Sequence, residues 1–549
     1  MERITLTRQF RFYLAILFAA VAAKSVIGAP AGVGGALESG EVGLYRADEF
    51  RLADGDCKDC PTIPQALWYF RGDTIAVPKG KPADFTRRAG YQDDVRSWVA
   101  ANPQGDLAHR PPLLWIGSPL VIANARMDAT GTALTGADGK RLPFAVTPKI
   151  ETNLSYYDAS SVRHFADRLL RFRGRMQGDR FVARTIWPED YALDSVKLQH
   201  QPLQRGETVE SLVRSDGTDA RAPLAARVLW QRNPRARLDI AGKPVLAFML
   251  NGAQGDDDEA HGGHFAVATG RLGQRGEWGD WAINNFYNLG SVSEKGIIAS
   301  TLPMDAYMAD LNSGQSWYRP SYMLVAVLKQ DRVPGLYQQA IGRVYNHFYR
   351  HDFNYRHATA NCAGISMESL RSLGWNIPEE GGDGRLKAVV ALPYMAVKEM
   401  SLESGQKAFD YLSAERTNLY PFVAFNAVGA DILQRIATGK VASGVLERQL
   451  AEDLEALIYV RIPQFPSSRA FGQAPIASLD EYVKRVPEDR SQWKIVPAGP
   501  RSFPKHLMDT DIAGDPVQPS DLALWAYGGF IGVAAVGVYR RRAGKRNRA

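Results

Sequence analysis

Cys362 lies in ATANCAGISMESLRSLGW, residues 358–375, and the 549-residue chain has only two other cysteines, Cys57 and Cys60, together as CKDC. A thiol acts as a nucleophile in acyl transfer when a base, most often histidine, takes its proton and a polar group orients that base. Of the nine histidines, His264 has the most suitable setting. It follows NGAQGDDDEAHGG and opens HFAVATG, where Gly262, Gly263, Ala266 and Ala268 leave room around the ring. The next apolar segment, DWAINNFY, carries Asn284 and Asn285. Adjacent antiparallel strands set such residues side by side, and an asparagine accepting from the imidazole fixes its tautomer. We therefore assign Cys362 as nucleophile, His264 as general base and Asn284 as its orienting group, with Asn285 able to take that place or to bind substrate. His109, His164, His200 and His506 have no supporting context, and His347, His351 and His357 lie on a helix and the loop after it.

The cysteine's own segment reads as a helix. Asn361 is a favoured N-cap, Ala363, Met367 and Leu370 define one face, Gly374 marks the stop and Pro378 lies beyond. Cys362 would then be the first helical residue, where the unpaired N–H groups and the helix dipole favour a thiolate and can receive an oxyanion. Asn361 is assigned to the binding surroundings of the site. The opposing reading is a buried, inert thiol.

DDDEAHGGH also admits a metal reading, with Asp256, Asp257, Asp258, Glu259, His261 and His264 as ligands. The spacing matches neither a helical zinc motif nor an EF-hand loop, and four consecutive acids read more simply as a solvated loop. No G-x-S-x-G elbow, P-loop or G-x-G-x-x-G follows a predicted strand, so no cofactor is expected.

The ends suggest export. Residues 1–31 have arginines at 3, 8 and 11, an apolar run from Phe12 to Ala23 and then APA, the pattern of a cleaved signal peptide. Residues 522–539 carry no charge and precede RRRAGKRNRA, which reads as one transmembrane helix with a basic cytoplasmic tail at 540–549. The formal charge of +7 comes from these ends: the tail holds six positive charges and the leader three net, leaving −2 between them. Nucleic-acid binding, which needs a concentrated basic face, is not expected. In an oxidising compartment CKDC reads as a local disulfide, and the odd Cys362 as a reactive thiol.

Between the ends the expected fold class is α+β. Residues 32–244 read as a β-rich N-terminal domain, interrupted by one helix in DASSVRHFADRLLRFR, with Asp158 or Ser160 as cap and Val162, Phe165, Leu169 and Phe172 as its stripe. Residues 245–400 form the domain with the site: short strands, then a helix in PGLYQQAIGRVYNHFYR and the Cys362 helix. Residues 401–495 read as a helical extension, VLERQLAEDLEALIYV included, and the Pro-rich stretch 496–521 as a linker to the membrane.

The order GGHFAV, WAINNF, NCAG resembles the circularly permuted branch of the papain-like (NlpC/P60) cysteine hydrolases, and more narrowly the Lnb-type N-terminal periplasmic domain family. The resemblance covers about residues 245–380, with Trp281 where the family has tyrosine. It implies an antiparallel sheet with packed helices and a Cys-His-Asn hydrolase or acyl-transfer site at Cys362, His264 and Asn284. With export, it implies a membrane-anchored periplasmic enzyme of the bacterial cell envelope. The substrate would be a cell-wall peptide or an acylated envelope molecule. The other function class is a catalytically silent envelope module that binds a partner through its β-rich region.

Overall fold

The computed structural model describes residues 42–46, 73–78, 89–105, 113–150, 153–216 and 223–493, with short omissions at 256, 288–296, 350–351, 383, 440–441 and 468–471. Strands β1 (Val42–Arg46), β2 (Thr74–Pro78) and β3 (Leu114–Gly117) come first, with α1 (Tyr91–Ala101) between the last two. Next are β4 (Leu120–Met127), β5 (Ala133–Thr135), β6 (Arg141–Val146), α2 (Ala159–Phe165), β7 (Leu170–Gln177) and β8 (Arg180–Pro188). Then α3 (Val209–Asp216) and β9 (Ala225–Gln231) lead to β10 (Pro244–Asn251), β11 (His264–Arg271), β12 (Ala282–Asn284) and β13 (Thr301–Pro303). After α4 (Met304–Ala309) come β14 (Ser321–Leu328), α5 (Arg332–Tyr349) and α6 (Cys362–Ser372). Helices α7 (Arg385–Lys398), α8 (Leu402–Ser413), α9 (Arg416–Leu419), α10 (Pro421–Thr438) and α11 (Val445–Asp453) precede β15 (Leu454–Ile462) and α12 (Leu479–Arg485).

The fold is mixed α+β. One ten-stranded sheet runs β1-β2-β3-β13-β12-β11-β10-β14-β15-β9. At its centre β10 and β14 are buried along their whole length, which is why PVLAFMLN and SYMLVAVL show so little polar alternation. Helices α5 and α10 pack on β10 and β11, and α6 packs on β11; Tyr337, Ile341, Val344, Met367, Leu370 and Phe425 of these helices are fully buried.

The sheet does not respect the expected segment boundaries. Strands β1, β2, β3 and β9 come from 32–244, and β15 comes from the stretch read as helical, yet all join the strands of 245–328. The helix expected over VLERQLAEDLEALIYV ends at Asp453 because LEALIYVRI is a buried strand between β14 and β9. Its β-branched and aromatic residues gain more from two strand partners than helical periodicity could supply.

Residues 120–188 close on themselves as a five-stranded barrel, β4-β5-β6-β8-β7, with β7 returning to β4 and β6 parallel to β8. With α2 between the third and fourth strands, this is the strand arrangement of an OB-type barrel. The helix here is shorter than expected. Asp158 caps it, reciprocating with Ser161, but it ends at Phe165, Asp167 turns left-handed at φ 62°, and Phe172 belongs to β7. Buried ion pairs fasten barrel to sheet: Arg184 joins Asp73 and Asp310, and Arg173 grips Asp305 at 2.8 Å. Removing Arg184 would leave Asp73 and Asp310 buried without their shared cation.

Among the described residues no helix is long and apolar enough to cross a membrane. The expected signal peptide, the Cys57–Cys60 disulfide, the linker 496–521, the transmembrane run 522–539 and the basic tail lie outside the described residues.

Candidate active site

Strand β11 begins with His264, and its entry is tightly constrained. Gly263 has φ +76°, and a Cβ there would lie 2.5 Å from the Asn251 carbonyl oxygen and 2.8 Å from Pro475. Only glycine can bring the chain so close to a neighbouring backbone before the histidine. The preceding acidic stretch folds as a short 3-10 turn, Asp258–Gly262, and among the described residues no group of acidic, histidine and cysteine side chains could hold a metal ion.

Pleat parity decides which asparagine meets the ring. Strand β12 pairs antiparallel with β11, and Asn284 stands opposite Val267. It therefore shares the face of Val267 and Phe265, while Asn285 falls in step with Ala266 and His264. Asn285 Oδ1 lies 2.6 Å from His264 Nε2. Asn284 is engaged elsewhere: its Nδ2 donates to the Val267 carbonyl at 3.1 Å and its Oδ1 accepts from Thr301 Oγ1 at 2.8 Å. The orienting role assigned to Asn284 thus falls to Asn285.

Asn285 also fixes the ring's proton. Its Nδ2 donates to the Ile298 carbonyl, so Oδ1 must be the atom that faces the imidazole. An amide oxygen only accepts, so in the neutral ring Nε2 carries the hydrogen and Nδ1 keeps the lone pair that a base needs. Tyr345 Oη holds the Asn285 carbonyl at 3.0 Å, so the orienting residue is itself braced.

Cys362 is the first residue of α6, and Asn361 is its N-cap, accepting from the Gly364 N–H at 2.9 Å. The Asn361 Nδ2 donates to the carbonyls of His357 at 2.7 Å and Leu419 at 2.8 Å, so Asn361 shapes the helix start and has no amide hydrogen left for a substrate. Helix α6 packs on β11. Pairing between β11 and β12 stops at Val267, and beyond it the Phe265 N–H faces the Cys362 sulfur. The nucleophile candidate thus meets the strand one residue from the base candidate.

The site is closed and largely desolvated. Cys362, His264 and Asn285 are 3%, 6% and 2% exposed. Burial pushes the thiol above its ordinary value, against the opposing pull of the Phe265 N–H, the Tyr355 hydroxyl, the Ala363 N–H and the Arg319 charge. Burial, and then Arg319, depress His264 to about 3, with the Asn285 bond acting the other way. At neutral pH both groups are therefore uncharged, a thiol at Cys362 and an imidazole at His264. The thiolate expected at the helix start does not form here, because desolvation outweighs the first-turn dipole.

Three further contributors lie outside the motifs. Arg319 presents positive charge to both His264 and Cys362 and is held by Gln315 Oε1 at 2.8 Å and the Gly252 carbonyl at 3.0 Å. Tyr355 reaches the thiol with its hydroxyl. Tyr307 lies 6.3 Å from the His264 ring, centroid to centroid, with its hydroxyl on Asn251 Oδ1. Only Tyr355, seven residues before Cys362, had a local cue in the sequence. Residues 473–476 pack beside the entry to β11: Ala253 bridges Gln473, and the Ile476 N–H donates to the His261 carbonyl at 3.0 Å. No protein-family model, curated protein or solved structure matches this chain.

Proposed function

We propose that this chain is an exported, membrane-anchored cysteine hydrolase or acyltransferase of the permuted papain-like type, acting in the bacterial cell envelope through Cys362, His264 and Asn285. The observation that carries this reading is the fixed tautomer of His264, with the Nδ1 lone pair kept for a proton on the strand against which α6 packs. In the mechanism the thiol attacks an amide or ester carbonyl while its proton passes to His264 Nδ1. The imidazolium so formed is stabilised through Nε2–H by Asn285 Oδ1, and then protonates the leaving amine or alkoxide. The Cys362 N–H, at the first position of α6, helps receive the oxyanion. Water, or a second alcohol or amine, with its proton taken by His264, releases the acyl group from sulfur.

The substrate class that fits an exported location is a cell-wall peptide or an acylated envelope molecule. The test is incubation of the full chain, wild type and Cys362→Ser, with muropeptides and with lipidated envelope fractions, followed by mass spectrometry. A product formed by the wild type alone, and a thioester trapped on Cys362, are the expected results. Absence of both across the two pools would discard the hydrolase reading. One observation favours the second reading, a silent binding module: the thiol is buried and protonated in the closed site.

A further inference from the structure

Helices α7 and α8 form a hairpin that packs chiefly on itself, with Gly405 of α8 against the Leu392 carbonyl and Ala396 of α7. Helix α7, RLKAVVALPYMAVK, buries only Ala388. Its apolar side chains instead face outward: Leu386, Val390, Tyr394 and Val397 recur at helical spacing along one stripe, and Met400 and Leu402 extend it over the tip, all 61–92% exposed. Met400, at φ 50°, makes the tight turn there. Leu386, Val390 and Tyr394 also line a groove of about 520 Å³ together with Leu412 and Leu479, alongside Lys387, Ser478 and Asp480. Single exposed apolar residues need no explanation, but a continuous stripe ending in an apolar tip marks a surface that another phase or molecule covers.

We infer that this hairpin is a bilayer-contact element, which dips the α7 stripe and the Met400 tip into the lipid interface. Two features favour lipid as the occupant. The stripe is flanked by Arg385, Lys387 and Lys398, the composition of a helix lying in an anionic lipid surface. In addition, α12, which precedes the uncharged run 522–539 in the chain, adjoins the groove through Leu479. Residues 494–521 reach at most about 100 Å before the uncharged run 522–539, which keeps the hairpin within range of the membrane. The inference takes from the proposed function only the membrane-anchored location, and its test reads lipid contact and not turnover.

The full chain is reconstituted in vesicles of phosphatidylethanolamine and phosphatidylglycerol carrying a diazirine-bearing phosphatidylcholine tracer, irradiated, digested and mapped for lipid adducts. Adducts are expected on 385–402 as well as on 522–539, and none around the exposed Val196. A Val390→Glu, Val397→Glu double variant, with both positions exposed and its fold checked by circular dichroism, should lose about tenfold of the hairpin adducts while those on 522–539 persist. Adducts confined to 522–539 would overturn the inference, as would Lys387 or Lys398 cross-linking to a second copy in place of lipid labelling. Hairpin adducts without any on 522–539 would uphold the inference and reject the membrane anchor. Hairpin adducts on a protein that turns over no substrate would reject only the hydrolase.

Discussion

Asn285 Oδ1 sits 2.6 Å from His264 Nε2 while the amide nitrogen of the same side chain is held by the Ile298 carbonyl. The pair is therefore directional: the asparagine can only accept, and the imidazole can offer only Nδ1 as a base. Replacing Asn285 by Ala should release the tautomer, visible as mixed ring-nitrogen shifts for His264 in NMR, and should slow alkylation of Cys362 about tenfold. Asn284→Ala should leave the tautomer unchanged and destabilise the fold by about 1–3 kcal/mol, because the Val267 carbonyl and Thr301 hydroxyl lose a buried partner. Identical ring shifts in both variants would remove the distinction between the two asparagines.

The buried thiol makes a prediction about pH. Since burial raises the Cys362 pKa above its usual 9.0, iodoacetamide labelling of the native chain should reach half its limiting rate above that value. His264→Ala should slow labelling at neutral pH, whereas His164→Ala should not. A half-point near neutrality in the wild type would mean that the closed, neutral pair is not the reactive form.

The depressed His264 pKa predicts a dependence of stability on acid. Folded His264 titrates at about 3 and the unfolded residue at its ordinary 6.5, so between these values the unfolded chain binds the extra proton. Stability should therefore rise with pH across that window and fall as the solution is acidified below about 6.5. Urea unfolding at several pH values should show a shallower acid slope for His264→Gln than for wild type. Equal slopes would place the acid sensitivity elsewhere.

Arg319 acts on both members of the pair. Arg319→Gln should raise the His264 pKa and raise the Cys362 pKa further, since the same positive charge disfavours imidazolium and favours thiolate. It should also cost about 1–3 kcal/mol by releasing Gln315 and the Gly252 carbonyl. Arg319→Lys should keep the charge but not both hydrogen bonds, so it should separate the two effects. Ring titration by NMR and the labelling profile measure them; unchanged pKa values in Arg319→Gln would make Arg319 purely structural.

The sequence by itself determined the local pieces. Asn361, Ala363, Met367, Leu370 and Gly374 specify helix α6 and place Cys362 at its first position, because caps and stops act within a few residues. The runs HFAVATGR and AINNF likewise announce two adjacent strands with a histidine at the start of one. What it could not determine is whatever depends on partners distant in the chain. The choice of Asn285 over Asn284 rests on the register of β12 against β11, and a one-residue slip would exchange their faces. Strand β15 was hidden because LEALIYV fits either period until β14 and β9 pair with it. The protonation of the site was decided the same way. A helix start alone favours a thiolate, but packing α6 against β11 removes water from Cys362 and His264 together, and that desolvation is a property of the assembled fold.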